Sequence, residues 1–323
     1  MAFRSKIYAN TLAKYNEGKL LSAEKIQRLI DADFADAVRM LADYGYGGGM
    51  VDEKSYDVDI FIGDETAKLI EFVREDCPSE ELKNVLLNKF YYSDAKVYYK
   101  SKFSSFDSSG ALYGRFDELE KSISSGDYAE LPAFLSDALS ELDNAYVVKE
   151  ASPREIDIFI TRAEYADNLS SAKKSRNKSL IKYVKTEIDF QNILTAFRFK
   201  KLKLKSEKFE GEFIEGGYLP LDKVSAILDG DQNAVEDAFE GTQYSEAVQK
   251  LLSNDDFAVF ERDCSDMLYS IMAGGSENML AFSPFINYFM AQLAEFKVIK
   301  TILVCLKNGL RSEISKRIRS VYD

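Results

Sequence analysis

The sequence contains no histidine and no tryptophan, and only five prolines and three cysteines in 323 residues. Without histidine there can be no serine or cysteine triad built on an imidazole, no His-ligated zinc and no imidazole general base. The prolines are Pro78, Pro132, Pro153, Pro220 and Pro284, so long proline-free stretches lie between them and favour helices. Cys77, Cys264 and Cys305 are far apart and form no CxxC pair, so they read as buried, reduced thiols rather than as a metal centre or a disulfide framework. The N-terminal residues MAFRSKIYANTLAKYNEG hold no apolar stretch of signal-peptide length. The uncharged run 278–294 includes Asn278, Ser283, Pro284, Asn287 and Gln292 and is too short and too polar to span a bilayer. The expectation is a soluble protein that could still rest on a membrane complex.

The length suffices for one large or a few small folding units. Net charge is −12, from 42 basic and 54 acidic residues, which argues against a general nucleic-acid binder. The distribution is uneven: residues 211–292 carry 15 acidic and 3 basic side chains, and residues 293–323 carry 3 acidic and 7 basic. Such runs read either as solvated helix faces or as one acidic side of a polarised molecule. On the second reading Asp229, Asp231, Glu236 and Asp237 are candidate docking residues for a basic partner surface.

Periodicity points to helix almost throughout. Phe285, Phe289, Phe296, Ile299, Leu303, Leu306 and Leu310 recur at steps of three and four, with Gln292 the polar member, over a helix of about seven turns. Ser283-Pro284 reads as its N-cap and first position, and Gly309 interrupts it. Ser152-Pro153-Arg154-Glu155 has the form of a capping box, and Pro78-Ser79-Glu80-Glu81 opens another helix with acids in its first turn. Val58–Ile62 is strand-like but isolated. The fold class expected is all-α. GYGGGM is followed by no Lys-Ser or Lys-Thr, so it is not a phosphate loop.

An internal repeat emerges on self-comparison. GKLLSAEKIQRLI from Gly18 aligns without a gap on GGYLPLDKVSAIL from Gly216, so that Leu21, Ile26, Leu29 and Ile30 fall on Leu219, Val224, Ile227 and Leu228. A weaker copy begins at Gly110 and a truncated one at Gly309. A carboxylate within a helix precedes each later glycine: Asp94, Asp189 and Glu295. These read as structural, with Arg198 and Lys200 as candidate neighbours, although Asp189 with Glu295 could in principle form an acid–base or metal-holding pair. Gly216 and Gly217 read as a helix-end turn needing positive φ or close approach. Lysine-rich KKLKLKSEK reads as a solvated loop or a contact for an anionic lipid surface. Three units are expected, at 1–109, 110–216 and 217–323.

Taken in order, these residues resemble a known family. ERDCSDM, then Ser283-Pro284 with Tyr288, Glu295, Lys300 and Lys307-Asn308-Gly309-Leu310, and the basic SEISKRIRSVYD are similar to the C-terminal signature of the C subunit of rotary ATPases, called d in eukaryotic V-type enzymes. Glu155-Ile156-Asp157, Tyr183, Asp189, Asn192, Arg198 and Gly216-Gly217 follow the order of its middle segment, and LLSAEKIQRLIDADFADAVRMLADYGYG is similar to its opening helices. The first copy departs from the pattern, with Val97 where the second has Asn192. The resemblance implies three related helical domains around a pseudo-threefold axis, funnel-shaped, without catalytic centre, cofactor, metal or small-molecule substrate. It implies a central-stalk component on the cytoplasmic face of the membrane. Its partners would be the shaft subunits of the ATP-hydrolysing head and the membrane rotor ring, with no nucleic acid. Coupling would serve proton or sodium transport. The alternative from the residues alone is a free helical-repeat scaffold without activity.

Overall fold

The computed structural model describes residues 5–47, 56–102, 116–145, 152–273, 279 and 281–317. Among the described residues every regular element is a helix, as expected of an all-α chain. They are α1 (Lys6–Glu17), α2 (Ala23–Asp31), α3 (Phe34–Asp43), α4 (Val58–Asp76), α5 (Glu80–Ser101), α6 (Asp117–Ser125), α7 (Ala133–Ala145) and α8 (Pro153–Ser175). Then follow α9 (Lys178–Lys201), α10 (Ser206–Glu210), α11 (Leu221–Asp229), α12 (Gln232–Phe239), α13 (Ser245–Asn254), α14 (Phe257–Ala273), α15 (Ser283–Lys307) and α16 (Arg311–Arg317).

Local chemistry sets many of the starts. Ser5, Ser22, Asp33, Asp57, Ser79, Asn177 and Asp231 each accept a hydrogen bond from a backbone N–H of the first turn. Each such cap is worth about 1 kcal/mol. At α8 the capping box forms in full, with Ser152 and Glu155 bonded reciprocally and Pro153 at the first position. The strand-like run Val58–Ile62 is the first turn of α4, because Asp57 accepts from the N–H groups of Asp59 and Ile60 and turns the chain into a helix. The start of α15 also differs from expectation. Phe282 takes the cap position and Ser283 is already helical, so no side-chain cap forms there.

The residues group into two compact units. One comprises 1–83, 93–120 and 275–323; the other comprises 84–92 and 121–274. In the first, α15 packs against α1, α2, α3 and α4. Phe285, Phe289, Phe296, Ile299 and Leu303 of the apolar stripe are buried, and Phe72 stacks on Phe285 at 5.1 Å between ring centroids. Leu310 is 46% exposed, because α15 ends at Lys307 and the stripe ends with it. In the second unit, α9 packs against α8, α10, α11 and α14. Phe190, Ile193, Phe197 and Phe199 of α9 meet Phe209, Val224, Phe239, Tyr244 and Phe260 in one core. Each fully buried aromatic or aliphatic side chain there stabilises by about 2 kcal/mol. The copy beginning at Gly110 lies outside the described residues.

Candidate functional site

Two of the carboxylates singled out from the sequence, Asp189 and Glu295, lie near the middle of the two longest helices among the described residues. In the second unit, Asp189 of α9 is fully buried. The N–H of Tyr218 donates to both its oxygens, at 3.0 and 2.9 Å, and the N–H of Leu219 donates to Oδ1 at 3.0 Å. The Tyr244 hydroxyl donates to Oδ2 at 2.5 Å. Gln243 Nε2 in turn donates to the Tyr244 oxygen at 2.7 Å and to Thr186 Oγ1 at 3.3 Å. Burial pushes the Asp189 carboxyl above its ordinary range, and the Tyr244 hydroxyl and the two N–H groups pull it partly back. The same burial and the adjacent carboxylate hold the Tyr244 phenol protonated far above its usual pKa.

Gly216 and Gly217 make this approach possible, for two different reasons. Gly216 has φ +103, and a Cβ there would lie 2.6 Å from Leu169 Cδ2. At Gly217 a Cβ would lie 2.0 Å from Asp189 Oδ1, so the backbone can reach this short carboxylate only without a side chain. One turn on, Asn192 pairs with Ile214 in both directions: its Nδ2 donates to the Ile214 carbonyl at 2.8 Å, and its Oδ1 accepts from the Ile214 N–H at 2.9 Å.

In the first unit, Glu295 of α15 is buried in the same manner. The N–H of Leu21 donates to its Oε2 at 2.5 Å, and the Tyr46 hydroxyl donates to Oε1. Gln292 Nε2 donates to the Tyr46 oxygen at 3.0 Å and to Glu295 at 3.3 Å. One separation in sequence relates Leu21 to Leu219, Tyr46 to Tyr244, α2 to α11 and the cap Asp33 to the cap Asp231. The two carboxylates therefore do the same task. Each accepts from backbone just ahead of a small helix, Leu21 before α2 and Tyr218 and Leu219 before α11, and from a tyrosine hydroxyl further along.

Both carboxylates accept from donors fixed by the fold, which suits a structural joint rather than proton transfer. Arg198 and Lys200, expected beside Asp189, point elsewhere: Arg198 pairs with Glu261 at 3.2 Å and Lys200 donates to the Gly230 carbonyl at 2.7 Å. Gly309 has φ +69 and ends α15, with the Leu310 N–H bonded to the Cys305 carbonyl at 2.8 Å. Asp94, in α5, is fully buried. Sequence reasoning does not single out Tyr46 and Tyr244. The signal that could find them is their separation, which equals that of Leu21 from Leu219.

The acidic candidates sit on the α11–α12 hairpin. Asp229, Asp231 and Asp237 are exposed and Glu236 is half-buried. Asp231 caps α12 by accepting from the Ala234 N–H at 2.9 Å, and Glu236 accepts from Gln232 at 2.9 Å. Some other acids of the segment are paired with cations, Asp255 with Lys201, and Glu246 and Asp263 sharing Lys250. A groove of about 270 Å³ in the second unit is lined by Arg154, Asp157, Thr195, Arg198, Phe199 and Leu202, and Arg154 is held there by Glu212 through two hydrogen bonds. Among the described residues no group of acidic or cysteine side chains could hold a metal ion, and no helix is long and apolar enough to cross a membrane.

Comparison with known proteins finds relatives that match nearly the whole chain. The chain is 22% identical to the C subunit of the V-type sodium ATPase of Enterococcus hirae, over 97% of its length and 98% of that protein. It is 24% identical to the C subunit of the A-type ATP synthase of a Desulfurococcus species, over 96% of its length and 89% of that protein. It is also 24% identical to the C subunit of the V-type ATP synthase of Thermus thermophilus, over 74% of its length and 76% of that protein. Residues 9–317 match the family described as ATP synthase (C/AC39) subunit. With the match running through both α9 and α15, the chain belongs to the ATP synthase (C/AC39) subunit family.

Proposed function

We propose that the chain is the non-catalytic C subunit in the central stalk of a V/A-type rotary ATPase, joining the rotating shaft of the ATP-hydrolysing head to the ion-carrying membrane ring. The observation that carries this reading is the family match across residues 9–317. A part that passes torque between two partners must be stiff, and long buried helices pinned at mid-length supply stiffness. On this reading the protein is peripheral, on the cytoplasmic face, and its three helical sets divide near Gly110 and Gly216. Asp229, Asp231, Glu236 and Asp237 orient a basic surface of one partner, chiefly by steering its approach.

The test uses the purified chain with the purified shaft subunits and the purified ring of the same organism. Stable binding to both is expected, and binding to neither would overturn the rotor reading. Asp229→Asn, Asp231→Asn, Glu236→Gln and Asp237→Asn together keep the α12 cap while removing charge. They are expected to slow association with one partner at low salt, with the difference fading once the Debye length falls to ~8 Å or less. An unchanged association rate would dismiss the acidic hairpin as a docking surface and leave the rotor reading standing.

A further inference from the structure

The carboxylate joint is one of several contacts that recur between a long helix and the small helices it carries. Lys307, at the end of α15, donates to the Tyr56 carbonyl at 2.9 Å, just ahead of α4. Lys201, at the end of α9, pairs with Asp255 at 2.7 Å, just ahead of α14. Beyond each lysine the chain makes the same turn. The Leu310 N–H bonds to the Cys305 carbonyl with Gly309 at φ +69, and the Leu204 N–H bonds to the Phe199 carbonyl at 3.0 Å with Lys203 at φ +52. One separation in sequence relates Asp189, Lys201 and Lys203 to Glu295, Lys307 and Gly309. A cation also reaches the turn between two small helices in each unit, from different places: Arg311 of α16 donates to the Ala32 carbonyl at 2.5 Å between α2 and α3, and Lys200 of α9 donates to the Gly230 carbonyl at 2.7 Å between α11 and α12.

We infer that these contacts form one multi-point clasp, present twice, that makes each long helix and the small helices pinned to it a single cooperative piece. In the second unit the clasp is local in the chain, joining α9 to the helices that follow it. In the first unit it joins the end of the chain to the segment that carries α2, α3 and the start of α4, closing residues from the two ends of the chain on each other. Leu21 and Glu295 cannot meet until nearly all the sequence between them exists, so the first helices gain their fixed position only when the last long helix is in place. The packing agrees: α15 meets α1, α2, α3 and α4, while α9 meets its neighbour α8 and, after it, α10, α11 and α14. This inference stands on hydrogen bonds within each unit and does not rest on the proposed role in a rotor.

Amide hydrogen exchange on the full-length chain tests it, because exchange reads the opening of each segment separately. Glu295→Ala leaves the Leu21 N–H and the Tyr46 hydroxyl without their acceptor. It is expected to speed exchange across residues 18–46 roughly tenfold or more, with residues 213–254 unchanged. Asp189→Ala is expected to do the reverse. Tyr46→Phe and Tyr244→Phe delete only a hydroxyl, so they give the same local pattern at lower amplitude and serve if an alanine variant fails to fold. Equal acceleration over both segments in the tyrosine variants, or none in either, would overturn the inference.

Discussion

The clasps of the two units reach the same end by opposite means. Glu295 has the longer side chain, and the backbone that it holds keeps an ordinary residue, Lys19, where the other unit has Gly217. Asp189 is one methylene shorter, and there the backbone comes to the carboxylate, which only Gly217 allows. Length of acid and absence of Cβ compensate each other. Supporting polar groups are exchanged as well. Gln292 of α15 braces the Tyr46 hydroxyl directly, whereas Gln243 braces Tyr244 with Thr186 of α9 behind it. A joint can thus be preserved while most of its letters change, which is how a structural repeat survives at low sequence similarity.

The largest difference between the two clasps is expected at the glycine. Gly217→Ala places a Cβ against Asp189 and is expected to cost about 3 kcal/mol, read as a lowered urea midpoint. Lys19→Ala, at the matching place of the first unit, is expected to stay within about 0.5 kcal/mol. Equal costs at the two positions would show that the longer acid does not make room for a side chain in the first unit. Next come the helix ends. Lys203→Gly relieves a left-handed backbone and is expected to stabilise by about 1 kcal/mol, whereas Gly309→Ala introduces the same strain and should lose about 1 kcal/mol.

A smaller effect concerns a place where the two long helices differ chemically. In α9, two residues before the clasp, stands Glu187; in α15 the matching residue is Leu293. Burial pushes the Glu187 carboxyl up to about 7, with Glu164 adding to the rise and Lys89 opposing it. Because its folded pKa is raised, the folded chain keeps a proton that the unfolded chain releases above the ordinary value near 4.5. Stability from this group is therefore greatest at the acid end and declines as pH rises from about 4.5 to about 7. Glu187→Gln should flatten that slope of urea midpoint against pH. An unchanged slope would show that Glu187 does not titrate in this window.

Much of this is legible in the sequence, for physical reasons that differ by feature. The helices follow from three-and-four spacing of apolar residues, and the start of α8 follows from a self-contained motif, Ser152 to Glu155. Asp189, Asn192, Gly216, Gly217 and Glu295 can be singled out because a collinear resemblance fixes positions. Their partners cannot. Sequence proximity suggests Arg198 and Lys200 for Asp189, yet the helix turns Arg198 to the opposite face and sets Lys200 on the same face about 16 Å further along, so the donors come from backbone and from Tyr244. Gly309 aligns with Gly18 and Gly216 as a glycine, although by its turn it corresponds to Lys203. Val58–Ile62 looks like a strand because apolar β-branched residues cluster there, and the cap Asp57 outweighs that propensity.

The most direct measurement is a pair of double-mutant cycles on the intact chain, using Tyr→Phe with Asp→Ala or Glu→Ala and equilibrium unfolding. Coupling of about 2 kcal/mol is expected between Tyr46 and Glu295 and between Tyr244 and Asp189. Between Tyr46 and Asp189, which belong to different compact units, coupling near zero is expected. Absent coupling within either pair, or equal coupling across them, would show that the carboxylates do not hold two separate clasps.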